Sequence, residues 1–418
     1  MRTTVRDWAR QLGPGLITGA ADDDPSGIAT YSQAGAQFGL LTLWTIVFTY
    51  PLMVGIQLVS ARIGRVTGHG LASNIGRNFP RGVLYGIVVL LVVANTINIA
   101  ADIAAMGDAL QLVVGGPSQV YVVVFGTVCL LLQVFLTYQR YVRYLKWLTL
   151  ALLSYVALVL TIEIPWREVV ARSLTPHFAF TTEYLTVVVA VFGTTISPYL
   201  FFWQASQEVE ELNADPAAGA LAHAPAGADE HLRRIKIDTY IGMAFSNIIA
   251  FCIILGTAAT LHAAGVTDIQ TSAQAAEALR PLAGHFAFLL FSLGIIGTGL
   301  LAVPVLAGSA AYAVAETFEW KRGLDLKLLE AREFYTIIAL ATLGGVALDF
   351  SPIDPIKALF WSAVINGVIA VPIMVVMMLL ADDPKVMGRF IVTRRLKALG
   401  WLATGTMAAA VAGMLATW

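Results

Sequence analysis

Apolar runs of roughly 20 residues, separated by short polar stretches, recur along nearly the whole chain. Coiled as a helix at ~1.5 Å per residue, each is long enough to cross a ~30 Å hydrocarbon core. The pattern predicts eleven spans, at 14–38, 41–63, 82–114, 119–139, 144–164, 184–207, 238–262, 286–314, 333–348, 357–381 and 397–417. The ninth is short and the third is long enough to tilt. The first is interrupted by "GAADDDPSG" at 19–27. In water that stretch would be an ordinary turn, but carboxylates and a helix breaker inside lipid call for a reason.

Composition agrees with the pattern. The 418 residues are 58% hydrophobic and 13% charged, with a mean hydropathy of +0.75, whereas soluble proteins carry about 25% charged residues. The expected architecture is an all-α polytopic membrane protein forming a single membrane domain over 1–418. Cys129 and Cys252 lie inside apolar runs and read as small buried hydrophobes. The basic start "MRTTVRDWAR" has no cleavage site after it, so the first span is expected to be retained. No Ser/His/Asp or His/Glu constellation suggests an enzyme, and no feature suggests a nucleic-acid partner.

Charge placement orients the spans. With the N-terminus inside, 22 of the 26 Lys and Arg residues fall in inside segments and 4, Arg167, Arg172, Arg280 and Lys357, fall outside. That split obeys the positive-inside rule. The expected location is the cell (inner) membrane, with the N-terminus cytoplasmic and the C-terminus outside. The one long inside linker, 212–235, is rich in Ala, Gly and Pro and reads as a flexible cytoplasmic loop.

Pro25 interrupts span 1 and Pro198 interrupts span 6, both near mid-span. With spans 1–5 (about 14–164) and 6–10 (about 184–381) taken as repeats, the breaks occupy matching positions. Five spans per repeat is an odd number, so the second repeat is inverted, and span 11 is an extra helix. Matching interrupted helices point to a transporter's central site. Unwinding frees carbonyl oxygens there, and Asp24 adds a carboxylate beside Asp22 and Asp23. A buried acid costs roughly 3 kcal/mol at the bilayer centre, so it marks function. Three acids together call for a cation or for protonation.

Span 6 supplies Thr194, Thr195, Ser197 and Tyr199 around Pro198. An all-oxygen cage suits Mg²⁺, Ca²⁺ or Mn²⁺. The alternative is that these hydroxyls merely satisfy backbone groups freed by the kink. In span 3, Asn95, Asn98 and Asp102 form one polar stripe; interhelical hydrogen bonding accounts for the asparagines, while Asp102 suits ion or proton movement. Gln204, Glu208 and Glu211 share a face at the end of span 6. They either line an inner vestibule or form a hydrated helix end paired with Arg233, Arg234 and Lys236. Asn247 and Asn366 are lone polar residues, and Glu316 and Glu319 read as solvated where span 8 ends.

Three stretches resemble one family. "GPGLITGAADDDPSGIATYSQAGAQFG" resembles the first helix of NRAMP-type divalent metal transporters, which carry an Asp-Pro-Gly-Asn motif. "TTISPY" resembles their sixth-helix Met-Pro-His motif, and "DPKVMGRF" the segment after the tenth helix. The resemblance implies a leucine-transporter-like fold with 11 transmembrane helices, 5+5 inverted repeats and helices 1 and 6 broken at mid-membrane. It implies no resident cofactor, the metal ion being substrate.

Carried over by position, Asp24 matches the metal-binding aspartate, Gly27 stands where the metal-binding asparagine would be, and Thr194 falls where a carbonyl contributes. Ser197 replaces the methionine and Tyr199 the histidine linked to proton movement. Asp102 matches the first acid of an Asp-x-x-Glu pair whose second is Ala105, and Asp22 and Asp23 have no counterpart. The expected metal site is therefore Asp24, Ser197, Thr194, Gly27 and Asp23. Asp102, Tyr199, Asp22 and Asn98 form the expected ion or proton pathway, with Gln204 and Glu208 toward the inside. Loss of sulfur shifts the site toward hard, partly hydrated ions, as in the family's magnesium-transporting branch, and loss of His and Glu weakens proton coupling.

The leading expectation is a carrier of Mg²⁺ or Mn²⁺ in the lipid bilayer. The alternatives are a carrier of an organic cation or amino acid on the same fold, and a non-transporting membrane sensor.

Overall fold

Among the described residues, Pro25, Pro198 and Pro355 each open a long helix, and three other prolines sit inside helices without ending them. In the computed structural model, which describes residues 18–19, 21–135, 148–214, 219–225, 227–350 and 354–418, Pro25 opens α1 (Pro25–Phe38) and Pro51 lies within α2 (Leu43–Thr67). Proline suits the first helical turn, where its missing N–H has no helical acceptor to lose. After the amphipathic α3 (Leu71–Asn78) come α4 (Arg81–Val114), α5 (Ser118–Phe135), α6 (Leu153–Thr161) and α7 (Trp166–Leu174). Next are α8 (Thr182–Thr195) and α9 (Pro198–Ala214), then α10 (Ala228–Thr257) and α11 (Ala287–Thr317). The chain ends with α12 (Arg332–Leu348), α13 (Pro355–Asp382) and α14 (Arg394–Thr417). Pro304 and Pro372 lie within α11 and α13.

Eight helical stretches among the described residues are long and apolar enough to cross a membrane, and a ninth is bent by 120° between Leu150–Thr161 and Trp166–Leu174. The stretch Pro25–Thr67 carries the first two expected spans on either side of a 3-10 turn, Gly39–Thr42. The short ninth span is the 17-residue α12. Each of the eleven expected spans thus has a helix among the described residues. The first residues of spans 1 and 5, the end of span 4 and the basic residues at 140–146 lie outside them.

The linker expected at 212–235 is shorter than its composition suggested. Residues 212–214 belong to α9 and 228–235 to α10, while Leu221 and Ala222 donate backbone hydrogen bonds to the carbonyls of Arg65 and Val66. Residues 215–218 and 226 lie outside the described set.

The centre is built by close crossings. α4 packs most heavily on α11, α13 and α12, and α9 and α10 both pack on α2. α1 lies between α10, α13 and α8. Where α8 meets α13, a Cβ placed on Gly193 would lie 2.1 Å from the Ala363 carbonyl oxygen and 2.5 Å from Gly367 N. Small residues permit such backbone approach in membranes, where packing rather than hydrophobic contrast joins helices. That crossing brings α13 against the end of the first half of the broken span 6.

Candidate metal-binding site

Both breaks meet at one buried point. Thr18, Gly19, Ala21 and Asp22 are helical, the helix stops at Asp23, and Asp24 caps α1. Asp24 Oδ1 accepts from Gly27 N at 2.7 Å, so it satisfies one of the orphan N–H groups of the new helix. Its other oxygen, Oδ2, accepts from Asn98 Nδ2 on α4 at 3.1 Å and from the Tyr199 hydroxyl on α9 at 3.4 Å. Tyr199 also donates to the carbonyl of Ala21, at 3.2 Å. The Asp24 carboxylate is 2% exposed. Asn98, Asp102 and Tyr199 are completely buried around it.

Asn98 ties a second carboxylate and a third helix to this point. Its Nδ2 also donates to Asp102 Oδ2 at 3.3 Å, and its Oδ1 accepts from Asn366 Nδ2 on α13 at 3.3 Å. Asn95, three residues earlier on the stripe, does something different. It donates to the Leu306 carbonyl and to Ser309 on α11, both at 2.8 Å. Interhelical bonding therefore accounts for Asn95, while Asn98 belongs to the acidic centre.

The span-6 hydroxyls divide. Ser197 donates to the carbonyls of Gly193 (2.9 Å) and Thr194 (2.8 Å), so it satisfies groups freed where α8 ends. Thr195 shares a 3.2 Å hydrogen bond with Tyr31 on α1. A Cβ on Gly27 would lie 3.1 Å from Thr194 Oγ1, so Gly27 and Thr194 face each other across the two broken helices.

The three aspartates do not converge. Among the described residues, no three His, Cys, Asp or Glu side chains are placed to hold a metal ion together. Asp22 and Asp23 instead turn to α10, where Ser246 Oγ lies 2.6 Å from Asp22 Oδ2 and 3.0 Å from Asp23 Oδ1. Ser246 carried no signal in the sequence reading, being one of many serines in apolar runs. Among the described residues no salt bridge reaches Asp22, Asp23, Asp24 or Asp102. One carboxylate with neutral oxygens around it is what the break offers an ion.

A polar ladder leads from the break along α9. Thr18 donates to Gln204 Oε1 at 2.6 Å, and Gln204 Nε2 donates to Glu208 at 3.4 Å. Arg234 then pairs with Glu208 at 2.9 Å and with Glu211 at 2.5 Å. The pairing with Arg234 was expected, but not as a hydrated helix end, because the Glu208 side chain is completely buried. Glu316 likewise is not simply solvated. It is 4% exposed, accepts from Ser73 N and Ser206 Oγ at 3.1 Å each, and faces Arg322 at 3.6 Å. Its acceptors are consumed by a helix start and a neighbouring helix, which a one-dimensional hydropathy profile does not reveal.

The buried pair yields a stability prediction. Arg234→Met leaves Glu208 charged and unpaired, a change that costs about 3–5 kcal/mol for buried pairs. Thermal unfolding should fall sharply in the single variant and recover in the Arg234→Met/Glu208→Met double variant. An unchanged transition in the single variant would mean the pair contributes nothing.

The sequence profile of the Nramp family, described as natural resistance-associated macrophage protein-like, matches residues 15–417. The chain belongs to the Nramp family. A divalent metal cation transporter MntH of Klebsiella pneumoniae subsp. pneumoniae is 26% identical over 398 residues, covering 93% of this chain and 90% of its own length. The fold is that of an Nramp manganese transporter from Eremococcus coleocola, with a TM-score of 0.77 at 19% identity over 100% of this chain and 88% of the other. The nucleobase-cation-symport-1 transporter Mhp1 in a closed conformation follows the same fold at a TM-score of 0.60 and 14% identity, over 97% of this chain and 92% of its own. This Nramp chain is thus an all-α membrane protein of the leucine-transporter type. It belongs to a family of divalent metal cation transporters.

Proposed function

We propose that this protein carries Mg²⁺ or Mn²⁺ across a cell membrane by alternating access, with Asp24 as the carboxylate that holds the ion. The observation that supports this reading is the placement of the Asp24 carboxylate. It is buried where two helix breaks meet, with one oxygen fixed by a backbone N–H and the other held by Asn98 and Tyr199. A lone buried charge is expensive, and a divalent cation offsets that cost directly. Thr194, Ser197 and the backbone at Gly27 line the facing wall, and Asp22 and Asp23 add negative potential on the α10 side. The binding groups are oxygens without sulfur, so the set favours hard ions that keep part of their water.

Asp102 and Asn98 continue the polar path along α4, and Gln204 and Glu208 continue it along α9 toward the basic end. That end is read as cytoplasmic from the Lys and Arg distribution, with the N-terminus inside. No histidine follows Pro198, where Tyr199 stands, and Ala105 is three residues after Asp102. Uptake is therefore read as driven by the membrane potential, which supplies ~4.6 kcal/mol per 100 mV to a doubly charged ion.

Ser197 tests selectivity. Its hydroxyl now serves two carbonyls, so Ser197→Met introduces a thioether and releases the Thr194 carbonyl. Proteoliposome uptake should then shift toward Mn²⁺ and Cd²⁺ relative to Mg²⁺. If the Mg²⁺ to Mn²⁺ ratio is the same in both proteins, position 197 does not set selectivity.

A further inference from the structure

The amides beside Asp24 have their orientations dictated by their partners. Asn98 Nδ2 carries two hydrogens, and both are used, one on Asp24 Oδ2 and one on Asp102 Oδ2. Its Oδ1 must therefore face α13, where Asn366 Nδ2 donates to it. That leaves Asn366 with its carbonyl turned away from Asn98. Asn366 is 1% exposed, and its Oδ1 has no hydrogen-bond partner among the described residues. Asp102 is completely buried, and its Oδ1 is unpartnered in the same way.

Both orphans are acceptors. Buried acceptors without partners are uncommon and demand a donor. Two hydrogen bonds through Asn98 separate Asn366 from Asp24, so any contact between Asn366 and a cation on Asp24 would run through a water that the cation carries. Mg²⁺ gives up its water reluctantly and keeps several molecules at ~2.1 Å. Water polarised by the ion is a strong donor.

We propose that Asn366 Oδ1 is an outer-sphere ligand that accepts a hydrogen bond from a water carried by a divalent cation on Asp24. Asn98 is the positioning residue that orients both Asp24 and Asn366. This rests on reading Asp24 as the ion's carboxylate. The ligand class is a partly hydrated divalent ion, and the contact discriminates ions by how firmly they hold their water. Lone asparagines on a membrane helix are ordinarily interhelical glue, and Asn247, which donates to the Ile46 carbonyl at 3.1 Å, fits that description. The Asn247 carbonyl is also unpartnered among the described residues; Asn366 differs in position, because it donates to Asn98, which itself holds Asp24 and Asp102.

Calorimetric titration of the full-length protein in lipid nanodiscs with MgCl₂ and with MnCl₂ tests this. Asn366→Leu removes the acceptor at similar volume and should weaken Mg²⁺ binding about tenfold, the scale of one charge-assisted hydrogen bond, and Mn²⁺ binding less. Asn366→Asp keeps an acceptor oxygen and should bind Mg²⁺ at least as well as the parent. Asp24→Asn should lose both ions. Mg²⁺ binding in Asn366→Leu equal to the parent, or an equal loss in Asn366→Leu and Asn366→Asp, overturns the outer-sphere contact. Loss in Asp24→Asn alongside parental binding in Asn366→Leu overturns the contact while keeping the role of Asp24. Parental binding in all three variants overturns both.

Discussion

Asp24→Asn is expected to abolish Mg²⁺ and Mn²⁺ uptake into proteoliposomes, by more than about 100-fold, with the protein still folded. A carboxylate in contact with a doubly charged ion at ~2.1 Å is attracted by about 16 kcal/mol even at an effective dielectric of about 20. Most of that offsets desolvation of both partners. A surviving net of about 3 kcal/mol already corresponds to more than a hundredfold in binding. The amide keeps the shape and can still accept from Gly27 N, so α1 stays capped and the melting temperature should change little. Asp22 and Asp23 cannot substitute, because both are turned toward Ser246. Flux that persists in Asp24→Asn at near parental rate would place the ion elsewhere.

The second large effect is expected at Gly19. A Cβ there would lie 2.3 Å from the carbonyl carbon and oxygen of Gly242 and 2.7 Å from its Cα. All three atoms belong to the α10 backbone, which cannot rotate out of the way as a side-chain tip can. Gly19→Leu therefore forces the stretch before the break off α10. The contacts of Ser246 with Asp22 and Asp23, and of Thr18 with Gln204, would open together. Transport should fall at least tenfold, while Mg²⁺ affinity at Asp24 changes far less, because the groups holding Asp24 come from α1, α4 and α9. Thr18 is completely buried, so a cysteine placed there should gain reactivity toward a water-soluble maleimide in the Gly19→Leu background. Equal labelling in both backgrounds would show that this stretch does not move.

The sequence alone determined a good deal. Lipid demands about 20 consecutive apolar residues from each crossing helix, so the hydropathy pattern marked out the spans with little interference from tertiary contacts. It located the two breaks as well, since a proline beside polar residues in mid-span stands out against an apolar background. Residue type narrowed the proposed site chemistry to oxygen groups, because the motif positions hold Asp24, Ser197 and Tyr199 rather than sulfur or imidazole.

What only the tertiary structure decided is which of the polar side chains face each other. Asp22, Asp23 and Asp24 are consecutive, yet the helix ends between them, and the sharp change in backbone direction sends two carboxylates to Ser246 and one to Asn98 and Tyr199. Asn95 and Asn98 share a stripe, but about 60° of rotation around α4 separates a neighbour on α11 from the acidic centre. Asn366 looked like a lone polar residue because its partner lies 268 positions away in the chain, beyond any periodic signal. Periodicity reports which face of a helix a residue occupies; only the packing of that face against three other helices sets what the residue meets.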